Sequence, residues 1–305
     1  MDKKEQAIQK FLTLHNITIP SFLKDDTDVL YSLIEIKQSI SQNMTLRASE
    51  LVEESEHTWP ITLAMLNRVY DHVEGGFISL FSGTWTSVEV ICRAAIEAAI
   101  NVLYVLESDT ANRISQYISH YFEETRKAGN KYKSVKPQSN DLDSIEIISE
   151  SEAREGLHSR EQHIRTVFQY DGIPFGKTGW PKQISERFKK VGREFEYHDI
   201  YAALSSQVHS DAEALIDYII LWTLESPVPG LAEELREKAG REMLFWLRFF
   251  IYRSSELYSD AALLYTQRYA LAGAKKPIEQ YRHEINTRLQ QISAEFLKSR
   301  NAGQS

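Results

Sequence analysis

Polar residues stand at every fourth position of one strongly apolar stretch. The stretch is Thr86–Leu106, and the polar residues are Glu89, Arg93, Glu97 and Asn101. On an α-helix a four-residue step advances about 400°, so these side chains form one narrow stripe that drifts by about 40° per step. A helix that is apolar on its remaining sides belongs in the middle of a bundle. The stripe therefore meets either water or the polar groups of a neighbouring helix.

A second apolar stretch, 197–224, carries polar residues with the same step: Ser205, His209, Glu213 and Asp217. If the two stripes face one another inside the protein, Arg93 can pair with Glu213 or Asp217. His209 can then meet Glu97. Buried charges are costly unless they satisfy one another, so an interior cluster of this kind is a candidate functional site. The alternative is that each stripe is the wet face of its helix, with pairs worth about 0.2–0.5 kcal/mol each.

The residue types of this cluster suit chemistry on a phosphate. A histidine can act as general acid or base, an arginine can hold a phosphate, and a carboxylate can orient the histidine. We expect His209 as general acid or base, Arg93 as the residue that holds a phosphate or orients the carboxylates, and Glu97 as the residue that orients His209. Two alternatives stay open. In one, the charges only fix the register of the helices; in the other, a single metal ion binds at Glu89, Glu97, His209 and Glu213.

Three separated pieces of the sequence carry a family resemblance. They are Cys-Arg-Ala-Ala-Ile-Glu at 92–97, Trp-Pro at 180–181, and Tyr-Ala-Ala-Leu-Ser-Ser-Gln-Val-His at 201–209. Over roughly residues 60–225 the chain resembles an uncharacterised bacterial domain-of-unknown-function family with an R-x-x-x-E helix and a Y-x-x-L-S-x-x-V-H motif. More distantly it resembles HEPN domains, many of which are metal-independent ribonucleases in toxin and antiphage systems. The resemblance implies a helical fold and no particular reaction, and it singles out Arg93, Glu97, Ser205 and His209.

The HEPN nuclease signature, Arg followed by His after four to six residues, occurs twice. Arg113 and His120 would share one helix face about 10 Å apart along the axis, which makes them candidate binding residues. Arg193 and His198 would point about 140° apart on a regular helix. The basic stretch 126–136 could extend the first pair into a phosphate-binding strip. Exposed polar residues without a special function are the competing interpretation of both pairs.

The hydrophobic periodicity predicts an all-α, multi-helix bundle, with a HEPN-like core and extra N- and C-terminal helices. We expect residues 1–56 to form N-terminal helices that pack on a core domain, 57–305. Gly75-Gly76 is predicted to interrupt a helix that begins at Pro60. A basic block followed by an acidic block predicts a flexible insertion near 129–150.

Composition narrows the function classes. The formal net charge of −8 argues against a general nucleic-acid coat protein but allows local contact with RNA or a nucleotide. A single cysteine, Cys92, cannot form an internal disulfide, which fits the cytoplasm. We expect no membrane span and no cofactor. Glu54–His57 is an E-x-x-H motif, but we expect no di-iron site, which needs two such helices and two further glutamates. The aromatic run 245–252 favours core packing, and base stacking and a homodimer face are the alternatives. A partner protein from a defence or toxin operon is also conceivable by the HEPN analogy.

Overall fold

A computed structural model of the chain describes residues 2–54, 56–135, 143–202, 204 and 231–302. Their regular structure is helical throughout, without a β-strand among them. The predicted all-α class is therefore confirmed. None of the helices in these ranges combines the length and the apolarity that crossing a bilayer requires.

The helices pack into a bundle that also contains a 3₁₀ turn and a π-helical turn. The long helices, in chain order, are α1 (Lys3–His15), α2 (Thr27–Glu53), α3 (Trp59–Phe81), α4 (Trp85–Leu106), α5 (Thr110–Val135), α6 (Asp143–Tyr170), α7 (Ile184–Lys190), α8 (Leu231–Arg268) and α9 (Ala272–Ala302). A 3₁₀ turn, Ser21–Asp26, precedes α2. One α-helical turn, Glu194–Glu196, continues into a π-helical turn, Tyr197–Tyr201.

Helix α4 lies at the centre, as its apolar sequence predicts. It packs mainly against α3 and α8, and its second half is buried from Ala99 to Leu106. Cys92 is 1% exposed in this core. Burial raises the pKa of the Cys92 thiol to about 12, so the thiol stays protonated and acts as a small packing residue.

The predicted break at Gly75-Gly76 is wrong, because α3 runs through both glycines. A Cβ atom added to Gly76 would lie 3.5 Å from Cγ1 of Ile251 on α8. A Cβ on Gly75 would lie 3.6 Å from Cγ2 of Ile91 on α4. Both distances are ordinary contacts, so the packing of α3 against α4 and α8 continues through these positions and outweighs the poor helix propensity of glycine.

The terminal helices share one apolar core cluster with α2, α3, α4 and α8. Helix α1 packs on α2, and α2 packs on α9 and α8. The core cluster includes Ile8 near one end and Ile292 near the other. Residues 129–135 and 143–150 are helical, and 136–142 lie outside the described residues. Mobility of the stretch 129–150 stays a prediction.

The aromatic run on α8 is partly core and partly surface. Phe250 and Tyr252 are buried. The Phe245 ring stacks on Phe296 of α9 with centroids 3.9 Å apart. Trp246, next to this pair, is 44% exposed. The cluster therefore joins α8 to α9 and leaves one indole at the surface.

Candidate functional site

The polar stripe of α4 meets side chains from α7 and from the π-helical turn. Arg187 on α7 is 7% exposed, and its Nη1 donates to Oδ1 of Asn101 across 2.6 Å. Asn101 itself is 8% exposed. Burial lowers the pKa of the Arg187 guanidinium, and Glu97 opposes the shift. An arginine remains protonated under these conditions, so a permanent cation lies beneath the stripe.

Glu97 lies one helical turn before Asn101 on α4, and it also contacts Arg187, together with Tyr201. Tyr201 Oη donates to Glu97 Oε2 across 3.1 Å, and Arg187 Nη2 lies 3.7 Å from Oε1. The half-buried Arg93 lies with its guanidinium carbon 5.4 Å from the centroid of the Tyr201 ring. Burial raises the pKa of Tyr201, which keeps its hydroxyl a hydrogen-bond donor. These contacts hold the Glu97 carboxylate in one position.

Glu97 and Asn101 line a cavity of about 460 Å³ between α3, α4 and α5. Most of its wall is apolar: Ile61, Ala64, Met65, Ala94, Ala98 and Ile118. The remaining lining residues are Arg68, His72 and Tyr117. An apolar cavity with a few convergent polar groups is the usual form of a small-molecule site.

Arg68 and His72 present a cation and an imidazole to this cavity from one face of α3. They are four residues apart, so their side chains are neighbours on the helix surface. Arg68 is exposed, and no carboxylate of the described residues lies within ion-pair distance of it. Burial, together with the positive charge of Arg68, holds the pKa of His72 below its ordinary value. His72 is therefore neutral near pH 7 and can accept a proton.

Tyr117 on α5 forms the aromatic part of the wall. Its ring packs against Trp180 with centroids 4.9 Å apart, and Trp180 also contacts Tyr104 at 5.2 Å. Arg187 lies with its guanidinium carbon 5.4 Å from the Trp180 ring centroid. The tryptophan thus links the wall of the cavity to the buried cation. Burial raises the pKa of the Tyr117 hydroxyl, so it stays protonated.

The structure brings together part of the predicted cluster. Arg93 and Glu97 meet through Tyr201, and the stripe of α4 faces protein groups on this side. The other predicted members lie outside the described residues: Ser205, His209 and Glu213. The described residues contain no group of three or more His, Cys, Asp or Glu that could hold a metal ion.

The predicted Arg113–His120 pair is not brought into contact. Arg113 Nη1 donates to the backbone oxygen of Tyr104 and to Glu107 Oε2, the latter across 3.1 Å. Its guanidinium carbon lies 4.1 Å from the Tyr104 ring centroid. Arg113 therefore ties the end of α4 to the start of α5. His120 lies half-buried two turns further along α5.

The other basic candidates are also engaged by carboxylates. Arg126 pairs with Glu161 on α6 at 2.7 Å, and Lys127 pairs with Glu123 at 2.5 Å. These contacts neutralise the start of the predicted phosphate-binding strip. Arg193 binds Glu196 across 2.7 Å and also pairs with Asp260 on α8, so it anchors the turn that carries Tyr201.

Sequence reasoning missed Arg68, His72, Arg187 and Tyr117 as site residues. The signal for the first two was present, since Arg68 and His72 form an Arg–His pair with three intervening residues. The HEPN signature has four to six intervening residues, whereas three place the two side chains one helical turn apart. Arg187 gave no signal, because it is one basic residue in a basic helix and only the tertiary structure buries it.

Comparison with known proteins gives a family and no chemistry. No curated protein and no solved structure matches the chain. A family model described as "Family of unknown function (DUF5677)" matches residues 60–225, a span that contains helices α4 to α7 and all but the first residue of α3. The interpretation as an uncharacterised domain family is thereby confirmed over these residues. Because the matched span covers more than half of the 305 residues, the chain belongs to this family of unknown function, DUF5677.

Proposed function

We propose that the chain binds RNA or a nucleotide in the cavity between α3, α4 and α5 and cleaves RNA there as a HEPN-like ribonuclease. The observation that carries the proposal is the placement of Arg68 and His72 one turn apart on the wall of that cavity. An unpaired guanidinium beside a neutral imidazole is what a phosphodiester and the adjacent ribose hydroxyl require. The bacterial defence setting belongs to the same proposal and rests on analogy.

The proposed reaction is an attack within the ribose. His72 accepts the proton of the 2′-hydroxyl, and the 2′-oxygen attacks the neighbouring phosphorus. The bond from phosphorus to the 5′-oxygen breaks, which leaves a 2′,3′-cyclic phosphate. The departing 5′-oxygen takes a proton, for which His209 is our candidate donor. Arg68 neutralises the charge that grows on the phosphoryl oxygens.

A cleavage assay tests this function. Single-stranded RNA is incubated with the wild type, Arg68→Gln and His72→Asn, and with Glu53→Gln as the control. Glu53 is exposed at the end of α2 and does not line the cavity. We expect each of the first two variants to lose at least about 100-fold in rate, and the control to stay near the wild type. RNA with a 2′-deoxy sugar at the scissile position should resist cleavage. A His72→Asn variant that cleaves at the wild-type rate would contradict the proposal.

A second candidate function, a dimerisation module, rests on one surface. Trp246 is 44% exposed and Leu297 is 60% exposed beside the stacked Phe245–Phe296 pair. Exposed apolar side chains of this size are common at interfaces between subunits. Light scattering of the wild type and Trp246→Ser tests it. A dimer that Trp246→Ser dissociates supports this function, and a wild-type monomer at all concentrations rules it out.

A further inference from the structure

The hydrogen bond between Arg187 and Asn101 fixes which way the Asn101 amide points. A guanidinium can only donate, so the atom that it meets must be the amide oxygen. The two hydrogens on Nδ2 then remain, and no described residue accepts them. Only 8% of the surface of Asn101 is exposed, and the residue lines the cavity. It therefore offers a free donor to a ligand.

Glu97, one helical turn before Asn101, offers hydrogen-bond acceptors where Asn101 offers a donor. Its carboxylate has about four acceptor sites, of which Tyr201 takes one and the more distant Arg187 approaches another. Its side chain is 41% exposed, so acceptor sites remain open to the cavity. The wall of α4 thus presents a carboxylate acceptor, which Tyr201 holds, followed by an amide donor, which Arg187 orients.

This order of groups matches one base. The Watson–Crick edge of guanine carries two adjacent donors, N1–H and the 2-amino group, followed by the O6 acceptor. A carboxylate can accept from both donors while an amide donates to O6. Adenine and cytosine each place an acceptor beside their single amino group, and uracil has one N–H between two oxygens. None of these three can offer two adjacent donors to Glu97.

From this pattern we infer that the cavity recognises an unpaired guanine, with Glu97 and Asn101 reading its edge and Tyr117 contacting its face. Unpaired bases in RNA are commonly held on aromatic rings and read along this edge. Tyr117 lines the cavity on α5, facing the α4 residues. The inference rests on the proposed function, since it names the nucleotide that the same site would bind.

Calorimetry with the intact chain tests it. The probes are 5′-GMP, 5′-AMP, 5′-CMP, 5′-UMP and 5′-IMP, which keeps N1–H and O6 but lacks the 2-amino group. We expect 5′-GMP to bind at least about tenfold more tightly than the other three standard nucleotides, with 5′-IMP between. Glu97→Gln should remove this preference, because its amide replaces one acceptor with a donor. It should still fold, since an amide oxygen can accept from Tyr201.

The matched control is Glu107→Gln, at the end of the same helix. Its side chain is 44% exposed, close to the 41% of Glu97, and it also faces an arginine. It should keep the preference for 5′-GMP. Equal binding of all the mononucleotides would overturn the guanine assignment and leave the nucleotide site in place. No binding of any mononucleotide or of single-stranded RNA would overturn both.

Discussion

Arg187 and Asn101 form a hydrogen bond of 2.6 Å between two side chains that are each less than a tenth exposed. The guanidinium also lies 3.7 Å from Glu97, and its buried Nε has no hydrogen-bond partner among the residues that the structure describes. Helix α7 is thereby attached to the polar stripe of α4 by one buried cation. Burying a charge costs solvation energy, so the main effect of this cation is to fix the position of α7 on α4.

Replacing Arg187 should loosen this attachment. Arg187→Met leaves the buried oxygen of Asn101 without its donor, and we expect a loss of about 2–3 kcal/mol in the free energy of unfolding. Arg187→Lys should also lose stability, because one ammonium cannot meet both partners as the guanidinium does. Urea denaturation measures the change. Lys189→Met, at an exposed position of the same helix, is the control and should stay within about 0.5 kcal/mol. An Arg187→Met variant as stable as this control would show that the contact is incidental.

The two kinds of glycine in this region should respond oppositely to alanine. Gly76 lies inside α3, and its added Cβ would meet Ile251 at an ordinary contact distance of 3.5 Å. Gly76→Ala should therefore be neutral or gain up to about 1 kcal/mol from helix propensity. Gly83 has φ +77° with open space around it, so Gly83→Ala should lose about 1 kcal/mol through backbone strain. Thermal unfolding compares them, and a larger loss for Gly76→Ala would contradict the packing described for α3.

Local patterns in the sequence predicted the helices well and their interruptions poorly. The central helix follows from its apolar run, which any bundle must bury, and it was predicted to within one residue of Trp85–Leu106. Gly75-Gly76 was read as a break because local propensity contains no information about neighbouring helices. The helix continues through both glycines because α3 packs against α4 and α8, and this packing exists only in the tertiary structure.

The candidate site was predictable only on α4. Arg93 and Glu97 were found because their four-residue spacing interrupts an apolar helix, and this signal is local. Arg187 comes from a distant helix, and its burial depends on how α7 packs. His72 has an unremarkable local sequence, and its lowered pKa arises from burial and from Arg68 in the folded chain. Properties that tertiary contacts create cannot be read from spacing.

A buried ion pair near the N-terminus should be needed for stability. Asp26 is fully buried and accepts from Tyr252 Oη and from Arg248 Nε, the latter across 2.7 Å. Burial raises the pKa of Asp26, and Arg248 opposes the shift. Asp26→Ala leaves both donors without an acceptor and should cost about 3–5 kcal/mol in urea denaturation. Asp25→Ala, at the exposed neighbouring position, should change stability little. Equal effects of the two substitutions would contradict this view of the pair.

The lowered pKa of His72 predicts a pH dependence of ligand binding. A phosphate next to the imidazole favours its protonated form, so binding raises the pKa and takes up a proton. Affinity should therefore increase as the pH falls from about 8 to about 6. A guanine dinucleotide with only a diester phosphate is the suitable probe, because its charge is constant in this range. Calorimetry of the wild type should show the slope, and His72→Asn should lack it. A slope that persists in His72→Asn would assign the proton to another group.

The central claim, that the cavity between α3, α4 and α5 holds the nucleotide, has one direct test. Ala64 lines this cavity from an exposed position on α3, so Ala64→Trp adds bulk to the cavity without changing the core. Ala272→Trp makes the same change at an exposed position of α9, outside the cavity. Binding of 5′-GMP is then measured by calorimetry for both variants. We predict that Ala64→Trp loses at least about tenfold in affinity, or about 1.4 kcal/mol, while Ala272→Trp binds as the wild type does. Wild-type affinity in a folded Ala64→Trp variant would contradict the account.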